Sequence, residues 1–271
     1  MSAPVILMAA PNGARRSKAD HPALPIAIPE TVAEAKACRA AGAAMLHAHV
    51  RDAAGVHTLD AGLYRELIAE MATAVPDMIV QITTEAVGRY SPAEQIACVK
   101  AVQPEAVSVG LREIAPSAAE EDEARRFFAW AAESGVQVQH ILFSPEDVAR
   151  FERLAEGGLF GAGTPCVLHV LGRYSETQQS DPEELTPMLA AMRRPATWFI
   201  CAFGSQEADC ARAAIEQGGH ARVGFENNLH LPDGRVADGT SDLIATAARS
   251  AAELGRPVAS PAEARRILGI D

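Results

Sequence analysis

The chain has 271 residues, of which 48% are hydrophobic and 22% charged, and its net charge is −11. This acidic balance argues against nucleic acid or an anionic membrane surface as the main partner, and no segment reaches the ~20 apolar residues of a membrane span. The short apolar N-terminal run lacks a basic start, so we expect no signal peptide. The five cysteines show no paired spacing, which predicts reduced thiols and a cytoplasmic protein.

Two types of segment alternate along the chain. Short runs rich in Val, Ile and other apolar residues predict eight strands, at 4–11, 44–52, 78–84, 106–111, 136–143, 166–172, 197–204 and 221–227. Longer segments with helical spacing predict helices at 29–42, 91–102, 181–194, 205–219, 241–255 and 260–269. Several of these open on Ser or on a Pro in the first turn and close on Gly, and 29–42 has Thr31 and Glu34 near its start.

The alternation of strands and helices favours parallel pairing through right-handed crossovers. Because eight such units fit the ~250 residues of a typical (β/α)8 barrel, we expect an α/β fold of the TIM-barrel type. The barrel forms one domain over residues 1–271 and carries a short C-terminal helix. A doubly wound open sheet is the alternative, but "AAPNGARRS" after the first strand is not the GxGxxG fingerprint of that fold.

Polar residues gather where the predicted strands end, which is where barrels carry their chemistry. His47 and His49 are two apart on the second strand, so both side chains point to the same face. Glu226 lies on the eighth strand, which closes on the first. Two imidazoles and a carboxylate suit an open site for Zn²⁺, iron or manganese. Polar residues in the upper barrel layer are the alternative, although an apolar strand rarely buries an unpaired carboxylate such as Glu226.

Other polar residues at strand ends allow two interpretations each. The strand-end hydroxyls either bind a substrate carboxylate or carbonyl, or satisfy the local backbone; they are Thr83, Thr84 and Ser108. His140 and His169 either contact the metal or are hydrogen-bonded core residues. We expect Asp52 to fix the tautomer of a histidine or to pair with Arg51.

Three stretches resemble one known family. "LHAHVRD" followed by "AAGVHTLD" resembles the HxHxRD signature of the β-keto acid cleavage enzymes, whose best-known activity is 3-keto-5-aminohexanoate cleavage. "GGHARVGFENNL" is similar to the RVGxED block of the family, and "PVASPAEARRILGI" to its C-terminal segment. The resemblance implies a zinc-dependent (β/α)8 barrel that converts a β-keto acid and acetyl-CoA into acetoacetate and a new acyl-CoA.

The resemblance also assigns roles to residues of this chain. It implies that zinc is held by the two histidines and the glutamate already singled out, His47, His49 and Glu226, and that the arginine of the RVGxED block is Arg222. The family's hydroxyl after the third strand falls at Thr83 or Thr84, and the one on the fourth strand at Ser108. The partners it implies are a small-molecule β-keto acid and acetyl-CoA, with no nucleic acid and no membrane, and we expect a homo-oligomer.

The chain departs from the family pattern at two positions. The acid that follows the metal glutamate and initiates proton removal is here Asn227, which is an amide and cannot act as a base. A glutamate that meets the substrate amine in the aminohexanoate enzyme is replaced by Arg15, with Arg16 beside it. We therefore expect Arg15 to bind a tail carrying a second carboxylate or another polar acceptor, and to reject an amine, unless it is solvated on a mobile loop.

The loss of the acid leaves the general base open. The carboxylates near strand ends that are candidates for the base are Asp52, Glu85 and Glu113, of which Glu85 is the first choice. The alternative for Glu85 is an ion pair with Arg89 or Arg112 at the barrel rim.

Three functions follow from these residues. The first is a zinc-dependent carbon–carbon lyase or acyltransferase that acts on a β-keto acid. The second is a metal-dependent hydrolase of the amidohydrolase type, which would recruit His140 and His169 as well. The third is a metal-site barrel that binds a small anion and has been weakened as a catalyst by the loss of its base.

Overall fold

A closed barrel of parallel strands forms the centre of the molecule, and the predicted fold class is confirmed. The computed structural model describes residues 3–270. Its strands are β1 (Leu7–Ala9), β2 (Met45–Ala48), β3 (Val50–Arg51), β4 (His57–Thr58), β5 (Ile79–Thr83), β6 (Ala106–Gly110), β7 (Gln137–Leu142), β8 (Cys166–Leu171), β9 (Thr197–Ala202) and β10 (His220–Val223). Eight of them close the barrel in the order β1, β2, β5, β6, β7, β8, β9, β10, and β10 pairs with β1. β3 and β4 form a separate antiparallel hairpin.

Helices connect the barrel strands. They are α1 (Ile28–Ala40), α2 (Ala61–Ala74), α3 (Pro92–Val102), α4 (Leu111–Ile114), α5 (Glu121–Glu133), α6 (Pro145–Glu156), α7 (Leu185–Ala191), α8 (Glu207–Glu216), α9 (Thr240–Glu253) and α10 (Pro261–Leu268), and a 3₁₀ turn, Pro182–Glu184, precedes α7. None of the helices between residues 3 and 270 has the length and apolarity to cross a membrane.

The helix starts follow the capping signals in the sequence. α3 and α10 begin with a Ser cap, a Pro at the first position and a Glu that bonds back to the Ser, from Ser91 and Ser260 respectively. The start of α1 differs from the prediction. Glu30, and not Glu34, accepts the hydrogen bonds of the backbone N–H groups before the helix, from Ile26 and Ala27.

The predicted strands are all longer than the observed ones, and the two that lose most at the carboxyl end both concern the site. The run 44–52 ends as a barrel strand at Ala48 and then turns into the hairpin of β3 and β4. The eighth strand ends at Val223 because Gly224 adopts a φ of 151°. A Cβ on Gly224 would lie 2.3 Å from the Ala10 carbonyl oxygen, so only glycine fits this close approach. Glu226 therefore lies in a turn beyond the strand.

The strands separate two apolar layers. Residues such as Met8, Met45 and Leu168 fill the barrel interior, whereas Leu46 and Val107 pack outward against the helices. This period of two fixes which polar residues of a strand face the interior. The five cysteines, Cys38, Cys98, Cys166, Cys201 and Cys210, are all buried and free, as the sequence predicts.

Candidate metal centre and active site

The three predicted metal ligands meet at the carboxyl ends of the barrel strands. His47 lies on the inner face of β2, one residue before its end, His49 follows that strand, and Glu226 reaches them from the turn after β10. The Nε2 atoms of His47 and His49 are 3.2 Å apart. The Glu226 carboxylate lies 3.5 Å from His47 Nε2 and 3.7 Å from His49 Nε2. Gly13, with a φ of 61°, packs against the Glu226 side chain, which a Cβ there would displace.

A neighbouring glutamine sets the tautomer of His47. Gln81 on β5 donates from Nε2 to Gln139 Oε1 at 3.3 Å, so its own Oε1 faces His47 Nδ1 at 2.8 Å. His47 Nδ1 must therefore donate, and Nε2 keeps its lone pair. Burial, together with the Arg222 guanidinium, holds the pKa of His47 well below its usual range. The imidazole is thus a neutral ligand at neutral pH.

A third histidine sets the tautomer of His49, and the sequence analysis missed it. His57 on β4 donates from Nε2 to the Glu85 carbonyl oxygen at 2.9 Å. Its Nδ1 then carries a lone pair, which accepts from His49 Nδ1 at 3.4 Å. His49 Nε2 is left free to bind a metal. In the sequence His57 lies in the stretch "AAGVHTLD", but its contact with His49 depends on a hairpin that was not expected in this loop.

These tautomers leave two lone pairs facing each other, a repulsive arrangement unless a cation lies between them. Glu226 Oε2 is buried and has no hydrogen-bond partner among residues 3–270. Two ligands about 2.0–2.1 Å from a tetrahedral ion are roughly 3.3 Å apart, close to the separations observed. The residues thus fit one divalent metal ion, with room for a further ligand.

Arg222 lies beside the same carboxylate. It is buried on the inner face of β10 and its Nη2 is 3.4 Å from Glu226 Oε1 and 3.2 Å from Cys201 Sγ. Burial alone would raise the pKa of Glu226, but the Arg222 guanidinium opposes it, and that pKa lies well below its usual range. Glu226 therefore stays ionised, as a metal ligand must be.

A cavity with two lobes opens beside the metal ligands. The inner lobe lies against both histidines and has an apolar wall of Ile141, Phe143, Val170 and Phe203, with Glu113 at its edge. The outer lobe is formed by residues 12–16 together with Gln178. Glu85, Arg173, Phe203 and Glu226 line both lobes. Glu226 therefore lies where the two lobes adjoin.

Glu85 lies in this cavity, and its partners differ from those expected. Its carboxylate is 3.8 Å from His49 Nδ1 and 3.8 Å from Arg173 Nη2, and it pairs with neither Arg89 nor Arg112 within the described chain. Arg173 follows β8 and was missed by the sequence analysis, because it lies two residues beyond a strand with no motif around it. Glu85 is thus a partly exposed carboxylate beside the metal group.

Glu113 is a second carboxyl group on the cavity wall. Burial, and the nearby charge of Glu85, raise its pKa to about 7. Its Oε2 accepts a hydrogen bond from the Ala86 N–H at 3.1 Å. Glu113 therefore holds a proton more readily than an ordinary glutamate near neutral pH.

The three hydroxyl candidates occupy different places. Thr83 lines the inner lobe, and its Oγ1 accepts the Glu85 N–H at 3.0 Å. Thr84 donates to the Ser108 carbonyl oxygen at 3.1 Å and does not line the cavity. Ser108 is buried in the barrel interior, and its hydroxyl has no hydrogen-bond partner among the described residues. Of the three, Thr83 is placed to meet a ligand.

The two neighbouring arginines of the first loop have different surroundings. Arg15 is exposed at the outer lobe, and no carboxylate within residues 3–270 approaches it to 4.0 Å. Arg16 is half-buried and donates to the carbonyl oxygens of Phe225 and Asn227, both at 3.1 Å. Arg15 is therefore available to a ligand, whereas Arg16 holds the turn that carries Glu226.

The structure contradicts the expected role of Asp52 and places Asn227 outside the cavity. Asp52 does not act on a histidine or pair with Arg51; its Oδ1 accepts the N–H groups of Ala54 and Val56, both at 2.9 Å, and closes the turn of the hairpin. Asn227 is fully buried and lines neither lobe of the cavity, so it lies behind Glu226 rather than beside a ligand.

His140 and His169 lie away from the metal group. His140 packs among Phe128, Phe151 and Phe160 on the outer side of β7. His169 lies on the outer face of β8, where its ring packs near Trp198. The arrangement that an amidohydrolase would use is therefore not formed.

The fold and the ligand group define a class, a (β/α)8 barrel with a three-ligand metal-type site at the carboxyl ends of its strands. A family model described as beta-keto acid cleavage enzyme matches residues 4–270. The chain belongs to the beta-keto acid cleavage enzyme family.

Relatives of known function cover almost the whole chain. A 3-keto-5-aminohexanoate cleavage enzyme from Acetoanaerobium sticklandii is 31% identical over 98% of each chain. A 3-oxoadipate:acetyl-CoA acetyltransferase from Cupriavidus necator is 26% identical and covers 100% of this chain and 96% of that one. These relatives place the chain among enzymes that cleave keto acids or transfer their acyl groups.

Solved structures share the fold. A ternary complex of ObcA with a C4-CoA adduct and oxalate has a TM-score of 0.75 at 17% identity, over 92% of this chain and 68% of ObcA. A type I 3-dehydroquinate dehydratase from Clostridium difficile has a TM-score of 0.59 at 11% identity, over 90% of this chain and 92% of that one. At these identities the likeness shows the barrel fold alone.

Proposed function

We propose that the chain is a zinc-dependent β-keto acid cleavage enzyme with acetyl-CoA as its second substrate. It exchanges acyl groups, so that the acyl part of the β-keto acid leaves as acyl-CoA and the remaining carboxymethyl unit joins the acetyl group to give acetoacetate. The observation that carries the proposal is the His47–His49–Glu226 group in a member of this family.

Each polar group at the cavity has a part in this proposal. Bound zinc supplies a Lewis acid that polarises the keto oxygen and stabilises enolate charge. Arg222 holds Glu226 ionised and adds positive charge below the site. Thr83 offers a hydroxyl to the substrate carboxylate at the inner lobe. Glu85, which borders both lobes, is the proton acceptor that stands in for the missing acid at position 227.

We infer a β-keto acid with a second carboxylate as the preferred substrate. Arg15 at the outer lobe has no carboxylate partner among residues 3–270, and a guanidinium can bind a carboxylate through two parallel hydrogen bonds. The relative that acts on 3-oxoadipate supports this choice. An amine-bearing tail would instead meet a like charge.

A substrate panel tests both inferences. Purified enzyme is assayed with acetyl-CoA and either 3-oxoadipate or 3-keto-5-aminohexanoate, and acetoacetate and acyl-CoA are quantified. We expect 3-oxoadipate to be used better, and Arg15→Gln to lower its kcat/KM by about tenfold to a hundredfold, the value of hydrogen bonds to a charged group. Arg193→Gln, an exposed arginine paired with Glu156 on α6, is the matched control.

The opposite order of substrates would contradict the assignment of Arg15. In the same assay Glu85→Gln should remove most of the rate, since an amide cannot accept the proton. An unchanged rate would eliminate Glu85 as the base. Zinc bound without any acyl exchange for a broad range of β-keto acids would favour a binding barrel instead.

A further inference from the structure

The amide at position 227 faces away from the cavity. Asn227 is fully buried, and neither polar atom of its side chain has a partner of ordinary hydrogen-bond geometry among the described residues. The titratable group that it approaches is the carboxyl of Glu207, at the start of α8. This carboxyl is outside the cavity and has no part in the proposed chemistry.

Glu207 joins the two ends of the turn that carries Glu226. It is 2% exposed. Its Oε1 accepts the backbone N–H of Gly224 at 3.0 Å, and its Oε2 accepts from Asn228 Nδ2 at 3.3 Å. Gly224 begins the turn and Asn228 follows it, so the carboxyl fixes the turn from behind.

Asn227 and Arg16 act on this carboxyl as well. Burial raises the pKa of Glu207 to about 8, and contacts with Gly224, Asn228 and the Asn227 amide oppose that rise. Arg16 donates to the Asn227 carbonyl oxygen at 3.1 Å and contributes a nearby positive charge.

We propose that Glu207 is a positioning residue for the metal ligand Glu226. Its carboxyl holds Gly224 and Asn228, the residues on either side of the turn from which Glu226 reaches the two histidines. The inference rests on the metal site of the proposed function.

Two proteins form the test, the wild type and Glu207→Gln. In the variant an NH₂ donor replaces one of the two acceptor oxygens, so the side chain can no longer accept from both Gly224 and Asn228. Chemical unfolding of the metal-free proteins and zinc affinity, measured by competition with a chromophoric chelator, are compared between the two.

We expect Glu207→Gln to lower the unfolding midpoint and to weaken zinc binding by about tenfold or more, the usual range for groups that orient ligands. A wild-type zinc affinity in Glu207→Gln would overturn the proposal.

Glu152→Gln is the matched control. Glu152 is equally buried and accepts the N–H groups of Arg193 and Arg194, but it lies on α6. It should lower stability without changing zinc affinity. If Glu207→Gln behaves in the same way, Glu207 has only a structural role and the positioning proposal is wrong. A wild type that binds no zinc would contradict the proposed function, while the unfolding comparison would still show whether Glu207 holds the turn.

Discussion

Each histidine of the ligand group is oriented by a residue outside the HxH motif. Gln81 holds His47, and His57 holds His49 while itself bound to the Glu85 carbonyl oxygen. Both contacts place the proton on Nδ1 and leave Nε2 for a metal. Such contacts commonly set the basicity and direction of metal-binding histidines.

Replacing His57 should therefore weaken metal binding without removing a ligand. His57→Phe leaves His49 Nδ1 without an acceptor, and we expect zinc affinity to fall by about tenfold to a hundredfold. His57→Gln retains an amide that can accept from His49 and donate to the Glu85 carbonyl, so it should recover part of the loss. Chelator competition measures both values, and a wild-type affinity in His57→Phe would show that the contact has no influence.

At the level of residues, the sequence predicted what two strong motifs encode. HxH and the RVGxE block located His47, His49 and Glu226, because the type of ligand and the strand periodicity can be read from the sequence alone. The residues that orient them were not visible. His57 acts across a hairpin. The role of orienting a histidine was expected of Asp52, but the Asp52 carboxylate accepts hydrogen bonds within its own turn.

At the level of elements, two departures from regular barrel geometry build the site. Gly224 ends β10 early and lets a turn bring Glu226 over the barrel mouth. The hairpin of β3 and β4 folds back over the second strand, where Arg51 donates to the carbonyl oxygens of Gly55 and Arg16, both at 3.0 Å. Arg51 therefore links the hairpin to the first loop of the site.

The element pattern was largely readable from the sequence. All eight barrel strands and the helices α1, α3, α7, α8, α9 and α10 follow from periodicity and capping, whereas α2, α4, α5 and α6 were not predicted. α6 has the same Ser–Pro start as α3 and α10, at Ser144 and Pro145, and could have been predicted. The strand ends at Ala48 and Val223 could not be predicted, because apolar residues continue past both. The chain turns there because of the β3–β4 hairpin and the close approach of Gly224 to Ala10.

At the level of the whole molecule, buried neutral histidines tie stability to pH. Burial lowers the pKa of His140 from 6.5 to about 3. Burial, with Arg256 nearby, lowers that of His220 to about 3, and its Nδ1 accepts the Ile6 N–H at 3.0 Å. Between these values and 6.5 the unfolded chain binds protons that the folded chain does not, so the free energy of unfolding falls as pH falls through this window.

Each such histidine contributes a slope of up to about 1.4 kcal/mol per pH unit in that window. His140→Phe, in an aromatic surrounding, removes one of them. We expect the acid midpoint of unfolding, followed by circular dichroism, to move to lower pH in this variant. An acid transition identical to that of the wild type would mean that protonation of His140 does not contribute.

The central claim is that His47, His49 and Glu226 hold one catalytic divalent ion, with zinc as the metal. Atomic emission of the purified wild type and of the variant with His47→Ala and His49→Ala, together with the acetyl-CoA exchange assay, tests it most directly. We predict one zinc ion per wild-type chain, and neither bound metal nor acyl exchange in the double variant. Full metal content and activity in the double variant would contradict the claim.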